Sequence, residues 1–397
     1  MLVTTDRCRE ATTCRAGGGA LREVLNLGSL HLSAFLQVNE AEPPSYPLVL
    51  TVGEKSGLIQ LKHTVDHDLL YRNYWYRSGT NETMVKHLVE LMHTAASRAN
   101  LQPGDISLDI GCNDGTLLNA APEGVYTIGF DPSNIQPEGI DEYIPDFFSP
   151  GFLGQRRAKV VTSIAMFYDL DNPVEFAQNV ADVLTEDGLW VCEMHYSRAM
   201  INTFGFDAIC HEHLAYYDLC SLEFVLDQVG LKVIDVERNV INGGSFRAYI
   251  AKHGTASIAV DQMRQIERQN PIDFVMFERG IRRQRDVCRA MLHNLKNENK
   301  LVLGYGASTK GSTIAQYYGI TQDLMPVIAD RNPLKWGLYC SGTGIPVISE
   351  EAARKMEPDV FFAFPYHFIE GFLKRETEHL ARGGKFMITV PQPRLLP

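Results

Sequence analysis

Apolar residues recur at helical spacing through Met84, Val85, Leu88, Leu91, Met92 and Ala95, so this stretch predicts an amphipathic helix with one buried stripe. Thr80 or Asn81 stands just before it and supplies an N-cap. Beyond residue 100 the pattern changes to short apolar runs divided by turn residues. Ile106–Ile110, Val125–Phe130, Val160–Ala165 and Leu189–Glu193 read as strands. Asn172 and Pro173 suit the N-cap and first position of a helix whose inner face is Phe176, Val180, Val183 and Leu184. Such alternation predicts a parallel, doubly wound sheet.

The two flanks differ from this centre. Gly17–Gly19 and the segment Glu40–Leu48 break periodicity near the start, which predicts short strands and loops. Past Phe204, Gly243 and Gly244 precede a strand over Phe246–Ala251, and Pro271 opens a long helix with Phe274, Phe277, Ile281, Cys288 and Leu295 on one side. Its arginines at 279, 282, 283, 285 and 289 read as a solvated face. Strand Leu301–Leu303, a glycine turn, a helix and strand Pro326–Ala329 then form a second α/β unit. The expected fold class is α/β: an N-terminal lobe over 1–75, a Rossmann-like domain over 76–200, and a second Rossmann-like domain over 201–397.

A chain of 397 residues is long enough for two or three domains. Its formal charge of −11 argues against a nucleic-acid surface, which needs a basic stripe against phosphates. No apolar run reaches the roughly 18–20 residues that span a bilayer, and Met1–Glu10 has no signal-like stretch. The eight scattered cysteines then read as reduced thiols, and the expected setting is the cytoplasm.

The first chemical motif is Asp109-Ile110-Gly111-Cys112-Asn113-Asp114-Gly115, at the expected junction of a strand with a helix. Glycines there let the backbone come close to a ligand. Asp131, at the end of the next strand, is placed to accept both hydroxyl protons of a ribose. Asp114 stands where a pyrophosphate would be repelled, which disfavours a dinucleotide and suits a cationic sulfonium. The pair of motifs resembles class I methyltransferases, which implies S-adenosylmethionine as cofactor. By that resemblance Asp109, Gly111, Asn113 and Gly115 line the cofactor, Asp131 holds its ribose, Asp146 and Phe147 lie near adenine, and Ala165 and Met166 near the methionine part.

The densest chemistry is Phe206-Asp207-Ala208-Ile209-Cys210-His211-Glu212-His213-Leu214-Ala215-Tyr216-Tyr217. Strand alternation would set His211 and His213 on one face, and two histidines around a glutamate favour acid–base catalysis over a metal site, since no further ligands complete a zinc shell. This segment, the run Leu70–Gly79, the cofactor turn, Ile241–Tyr249, Gly304–Ile320 and Ala329–Gly337 together resemble the sugar C-methyltransferases that act on thymidine-diphosphate-linked deoxyketosugars. The resemblance covers nearly the whole chain from about residue 14. It implies His213 and Glu212 in proton removal, with His211 beside them and Tyr74 or Tyr76 near the enolate oxygen, in a step of deoxysugar biosynthesis. An O- or N-methyltransferase and a non-catalytic nucleotide-sugar binder are the alternatives. Cys210 stands where the family often has tyrosine.

The second motif, Gly304-Tyr305-Gly306-Ala307-Ser308-Thr309-Lys310-Gly311, lacks the G-K-[ST] of a P-loop. It reads either as a second dinucleotide turn or, by the resemblance, as the site of the sugar nucleotide. In the latter case Gly306, Ser308, Thr309 and Lys310 cradle the diphosphate, with Asp330, Arg331 and Lys335 in support. The family commonly binds zinc in its N-terminal lobe through two C-x-x-C pairs. Here Gly17 replaces the second cysteine after Cys14, and Thr51–Ser56 holds none, so no metal is expected. The oligomeric state is left open.

Overall fold

The computed structural model describes residues 7–66, 69–70 and 77–397. Its first sheet has seven strands: β1 (Ile106–Ile110), β2 (Tyr126–Phe130), β3 (Glu142–Ile144), β4 (Ala158–Ile164), β5 (Leu184–His195), β6 (Lys232–Asn239) and β7 (Ser245–Ala251). Their spatial order is 3-2-1-4-5-7-6. The first five run parallel, and β7 is antiparallel to both β5 and β6. A dinucleotide fold keeps the order 3-2-1-4-5-6; here an antiparallel strand is inserted between the last two. The boundary expected at residue 200 therefore falls inside this sheet, because β6 and β7 complete its edge.

Helix α1 (Glu82–Ala99) starts at Asn81, whose side chain accepts the Thr83 N–H, and its stripe of Leu88, Leu91, Met92 and Ala95 packs against Val160, Leu189 and Val191. Helix α2 (Pro173–Val183) begins at the expected Asn172-Pro173 pair and packs Phe176, Ala177 and Val180 into the cluster around Ile110 and Trp190. The glycine turn after β1 does not enter a full helix as expected. It passes through turns into a single short 3-10 segment, Leu118–Ala120.

The N-terminal lobe is more regular than its sequence suggests. Strands Leu21–His31, Ser45–Gly53 and Ile59–Leu61 form an antiparallel sheet whose fourth member is Ala215–Tyr216 from the catalytic segment. Register shifts at Glu23/Leu25 and Asn26/Ser29 reverse the in–out parity along the first strand. That is why the alternation was not legible.

One more helix packs on the first sheet through Val260 and Met263, and the elements after it build the second α/β unit. Helix α3 (Ile258–Gln269) was not anticipated, since only Val260, Met263 and Glu267 of its polar sequence are buried. Helix α4 (Phe274–Asn297) starts at the Asp273 cap, a turn later than Pro271. Helix α5 (Thr309–Tyr318) follows strand β8 (Val302–Tyr305). With β9 (Ile328–Asp330), β10 (Tyr339–Cys340), β11 (Ile345–Ser349), β12 (Val360–Ala363), β13 (Lys385–Ile388) and β14 (Arg394–Leu396), the sheet order is 14-13-12-8-9-11-10, extended at its edge by Phe35–Leu36 of the N-terminal lobe. One core joins Leu25, Leu27 and Leu50 of the lobe, Phe206, Ile209 and Leu214 of the catalytic segment, and Phe277, Ile281 and Tyr318 of the second unit. The segment Phe206–Tyr217 is thus clamped where the three parts meet.

Candidate active site

The cofactor turn is shaped from beneath. Asp109 is 3% exposed and accepts the Thr162 hydroxyl at 2.6 Å, and burial pushes its pKa up to about 7 against the pull of that bond. It therefore supports the turn rather than lining its mouth. The Gly111 and Cys112 amides both donate to Phe130 O, at 2.8 and 2.9 Å. Gly111 has φ +81°, and a Cβ there would sit 3.3 Å from Met166 Cγ, so this crossing needs glycine. Gly115 closes the turn.

Asp131 accepts Asn113 N–H at 2.8 Å on one oxygen and Ser133 N–H at 2.9 Å on the other. Each carboxylate oxygen has a second lone pair, which is the capacity two ribose hydroxyls require. Asp114, the acid expected to repel a pyrophosphate, accepts Gly79 N–H at 2.8 Å, while the Asn113 side chain accepts Ser78 N–H at 3.0 Å. The segment before α1 is thereby fastened over the turn. Asp146 and Phe147 are exposed just past β3. Ala165 lies at φ +55°, uncommon for a residue with a Cβ, and with Met166 forms the exit of β4. These residues converge on the C-terminal ends of β1, β2 and β4, where open α/β sheets bind ligands.

The catalytic segment turns instead of running as a strand, and this separates its two histidines. His211 is buried against the lobe with Nε2 3.0 Å from Tyr46 O and its ring edge-on to Tyr46. The expectation that it shares a face with His213 is corrected: it is a structural contact to the lobe. His213 points to the opposite side. Its Nδ1 lies 2.8 Å from Ala208 O, and its ring meets Tyr168 edge-on at 4.5 Å. A carbonyl can only accept, so Nδ1 carries the proton and Nε2 is left as the basic lone pair. Burial, with the Lys310 charge next in effect, holds the imidazole pKa down to about 4, so it is neutral near pH 7.

His213 is oriented by Ala208 O, while Glu212, which the resemblance implies in proton removal, takes a hydrogen bond from the Cys210 thiol. Burial raises the Glu212 pKa; burial and then the Glu212 charge raise that of Asp169. Among the described residues, Asp169 Oδ1 beside them is buried without a hydrogen-bond partner. Tyr74 and Tyr76 lie outside the described residues.

Four groups in this region were missed by the sequence reading. His195 ends β5, and His367 and Tyr366 follow β12. Asp207 is 1% exposed and accepts the Tyr366 hydroxyl at 3.4 Å. His195 Nδ1, His367 Nδ1 and Asp207 Oδ2 are buried without a partner. Burial keeps His195 well below the usual histidine range and lowers His367 to about 3, with Lys310 second in both cases. The available signal was positional: a histidine at a strand's C-terminal end faces the ligand edge of such a sheet.

The second glycine turn repeats the logic of the first. Asp330 accepts Ala307 N–H at 2.8 Å and Asn332 N–H at 2.8 Å, and Lys335 donates to Ala307 O at 2.7 Å. Asp330 and Lys335 therefore brace the turn at Gly306. Ser308 caps α5 by accepting Gly311 N–H at 3.1 Å, Thr309 opens the helix, and Arg331 is exposed. Lys310 leaves this turn altogether and donates to Asn242 O at 3.0 Å.

In the lobe, Cys14 Sγ contacts Ser56 Oγ at 3.2 Å, and the buried Arg15 guanidinium donates to Leu61 O at 2.5 Å and Thr64 Oγ1 at 2.6 Å. Gly17 has φ +95°, and a Cβ there would meet Gln228 Oε1 at 2.3 Å. A cysteine does not suit that position. Among the described residues no group of three or more His, Cys, Asp or Glu is arranged to hold a metal ion, and no helix is long and apolar enough to cross a membrane.

The 3-2-1-4-5-7-6 sheet, with a glycine turn after its first strand and a ribose-ready carboxylate after its second, defines an S-adenosylmethionine-dependent methyltransferase. A methyltransferase-domain family model matches residues 81–236, and a model described as the C-methyltransferase C-terminal domain matches 240–391. The chain is 27% identical over 412 residues to the C-methyltransferase NovU of Streptomyces niveus, covering 98% of each chain. It is accordingly an S-adenosylmethionine-dependent C-methyltransferase. Solved structures it resembles include a S-adenosylmethionine-dependent methyltransferase from Clostridium acetobutylicum (12% identity, 43% of this chain and 92% of that one, TM-score 0.33). Another is the cyclopropane synthase MmaA2 from Mycobacterium tuberculosis (13%, 45% and 90%, TM-score 0.35). Likenesses this remote carry no part of the assignment.

Proposed function

We propose that the enzyme methylates the carbon next to the ketone of a nucleotide-linked deoxyketosugar, with thymidine diphosphate as the carrier, through an enolate. The observation that carries this reading is the Nδ1 contact of His213 with Ala208 O, which fixes a neutral base with a free Nε2 in the catalytic segment. Transfer to oxygen or nitrogen has a lone pair to use and little need of such a base; transfer to carbon requires one.

Asp131 holds the ribose of the cofactor, with Gly111, Asn113 and Gly115 beneath it, Asp146 and Phe147 near the adenine, and Ala165 and Met166 near the methionine part. S-adenosylmethionine, when bound, supplies an electrophilic methyl group on a sulfonium. His213 Nε2 takes the proton from the substrate carbon, and the C–H electron pair moves into the adjacent C–C bond as the carbonyl π pair shifts to oxygen. The imidazolium and the enolate form together, so the step creates an ion pair rather than an isolated charge. Glu212 and Asp169 form the acidic wall beside the base. The unused amides of Thr309 and Lys310 at the start of α5, with Arg331 nearby, suit a diphosphate.

The test is incubation with methyl-labelled S-adenosylmethionine and a panel of thymidine-diphosphate 4-ketosugars. Label on a sugar carbon supports the reading. Label on oxygen or nitrogen overturns it in favour of an O- or N-methyltransferase.

A further inference from the structure

Lys310 belongs by sequence to the second glycine turn, yet its ammonium has left that turn. It crosses to Asn242, in the loop before β7, and donates to its carbonyl at 3.0 Å. One of three N–H donors is used there, and two remain. Groups from separate parts of the chain gather around it: His195 from the end of β5, Asp207 and His213 from the catalytic segment, and His367 from the loop after β12. His195 pairs with Ser245, three residues from Asn242, and a Cβ on Gly243 would lie 3.4 Å from Tyr366 Oη, beside His367. That hydroxyl donates to Asp207 at 3.4 Å, and His213 is bonded to the next residue's carbonyl. Burial keeps the three histidines neutral, so they do not compete with the lysine as cations.

A diphosphate clamp would leave the ammonium at the helix N-terminus with Ser308 and Thr309. An ammonium held instead at Asn242, toward this cluster, has a different use. Removing a proton next to a ketone moves negative charge to the carbonyl oxygen, two bonds from the carbon that loses it. A preorganised cation there acts on charge that exists only as the reaction proceeds. Among the described residues, His195 Nδ1 and His367 Nδ1 are buried without a hydrogen-bond partner.

We infer that Lys310 is a catalytic residue that contacts the substrate's ketone oxygen and stabilises the enolate. This rests on the ketosugar reading above. No covalent bond to the lysine forms: its ammonium keeps its protons, His213 holds the one removed from carbon, and the methyl group replaces it.

The test compares Lys310→Gln with wild type on the panel ketosugar that wild type methylates fastest, after confirming equal S-adenosylmethionine affinity. The expected result is a fall in kcat of about 10²–10³, as for loss of one oxyanion donor, with KM within ~3-fold and substrate deuterium exchange falling in step. A raised KM with kcat preserved would mark a diphosphate ligand and overturn the inference. If Lys310→Gln does not bind the cofactor, the same kcat-against-KM split is read on Lys310→Arg, whose displaced charge should lower kcat and not raise KM. Wild-type silence on the whole panel sinks the ketosugar reading, and this inference with it; a normal Lys310 variant in an active background sinks the inference alone.

Discussion

The Nδ1–H of His213 donates to Ala208 O at 2.8 Å, across a turn of five residues within one catalytic segment. The bond sets both tautomer and direction of the ring without a carboxylate partner. Because the imidazole pKa is held down to about 4 by burial and then by Lys310, the base is already neutral in mild acid. Protonation removes its lone pair, so activity is lost only as pH falls through the folded value. The acid limb of kcat/KM, which reports the free enzyme, should therefore lie near pH 4–5 and not near the ordinary histidine value of about 6.5. A limb centred at 6.5 would show that the base is solvated or is a different group.

Asp131 accepts two backbone amides while keeping lone pairs for a ribose. Asp131→Ala removes both duties. Charge-assisted hydrogen bonds contribute about 1.5–3 kcal/mol each, so losing both to the ribose should lower S-adenosylmethionine affinity by about 10²–10⁴-fold. Isothermal titration gives the value directly, and an unchanged affinity would remove Asp131 from the cofactor site.

Gly17 tests why the lobe lacks the family's second cysteine. At φ +95° and facing Gln228, a side chain is strained. Gly17→Cys should cost about 1–3 kcal/mol, read as a lower midpoint in denaturant. Zinc content, measured by atomic absorption, should stay at background, since Ser56 and Arg15 occupy the surroundings of Cys14.

Asp169 and Glu212 are buried carboxyls whose folded pKa values are raised, chiefly by burial. The sign follows from proton binding. Between the unfolded pKa, about 3.9 for aspartate, and the raised folded value, the native state holds more protons, so stability falls as pH rises through that window. Asp169→Asn removes this dependence at one site. Its melting temperature should gain on wild type from pH 5 to pH 8, and a difference constant across that range would contradict the raised value.

The cofactor half of this enzyme was legible because its signals are local. Asn81, Asn172-Pro173 and the D-x-G-x-x-x-G turn each act within a few residues, and the strand runs around them were placed to within a few positions. The lobe was obscured by two register shifts that defeat a period-two reading. In the segment Phe206–Tyr217, residue identity marked a stretch for chemistry but not its geometry. A turn sends His211 and His213 apart, and the ring of His213 is held by Ala208 O. Lys310 shows the same limit: motif membership placed it with a diphosphate, whereas its side chain reaches 68 residues back in sequence to Asn242. Contacts of that range have no sequence pattern to read.

The measurement closest to the central claim is proton exchange at the substrate carbon, uncoupled from methyl transfer. The enzyme, S-adenosylhomocysteine and an accepted thymidine-diphosphate 4-ketosugar are incubated in deuterated water, and the sugar is followed by NMR. Wild type should introduce deuterium at one carbon next to the ketone, and His213→Ala should slow this by about 10²–10⁴, the usual worth of a positioned base. Exchange by His213→Ala at the wild-type rate would contradict the account.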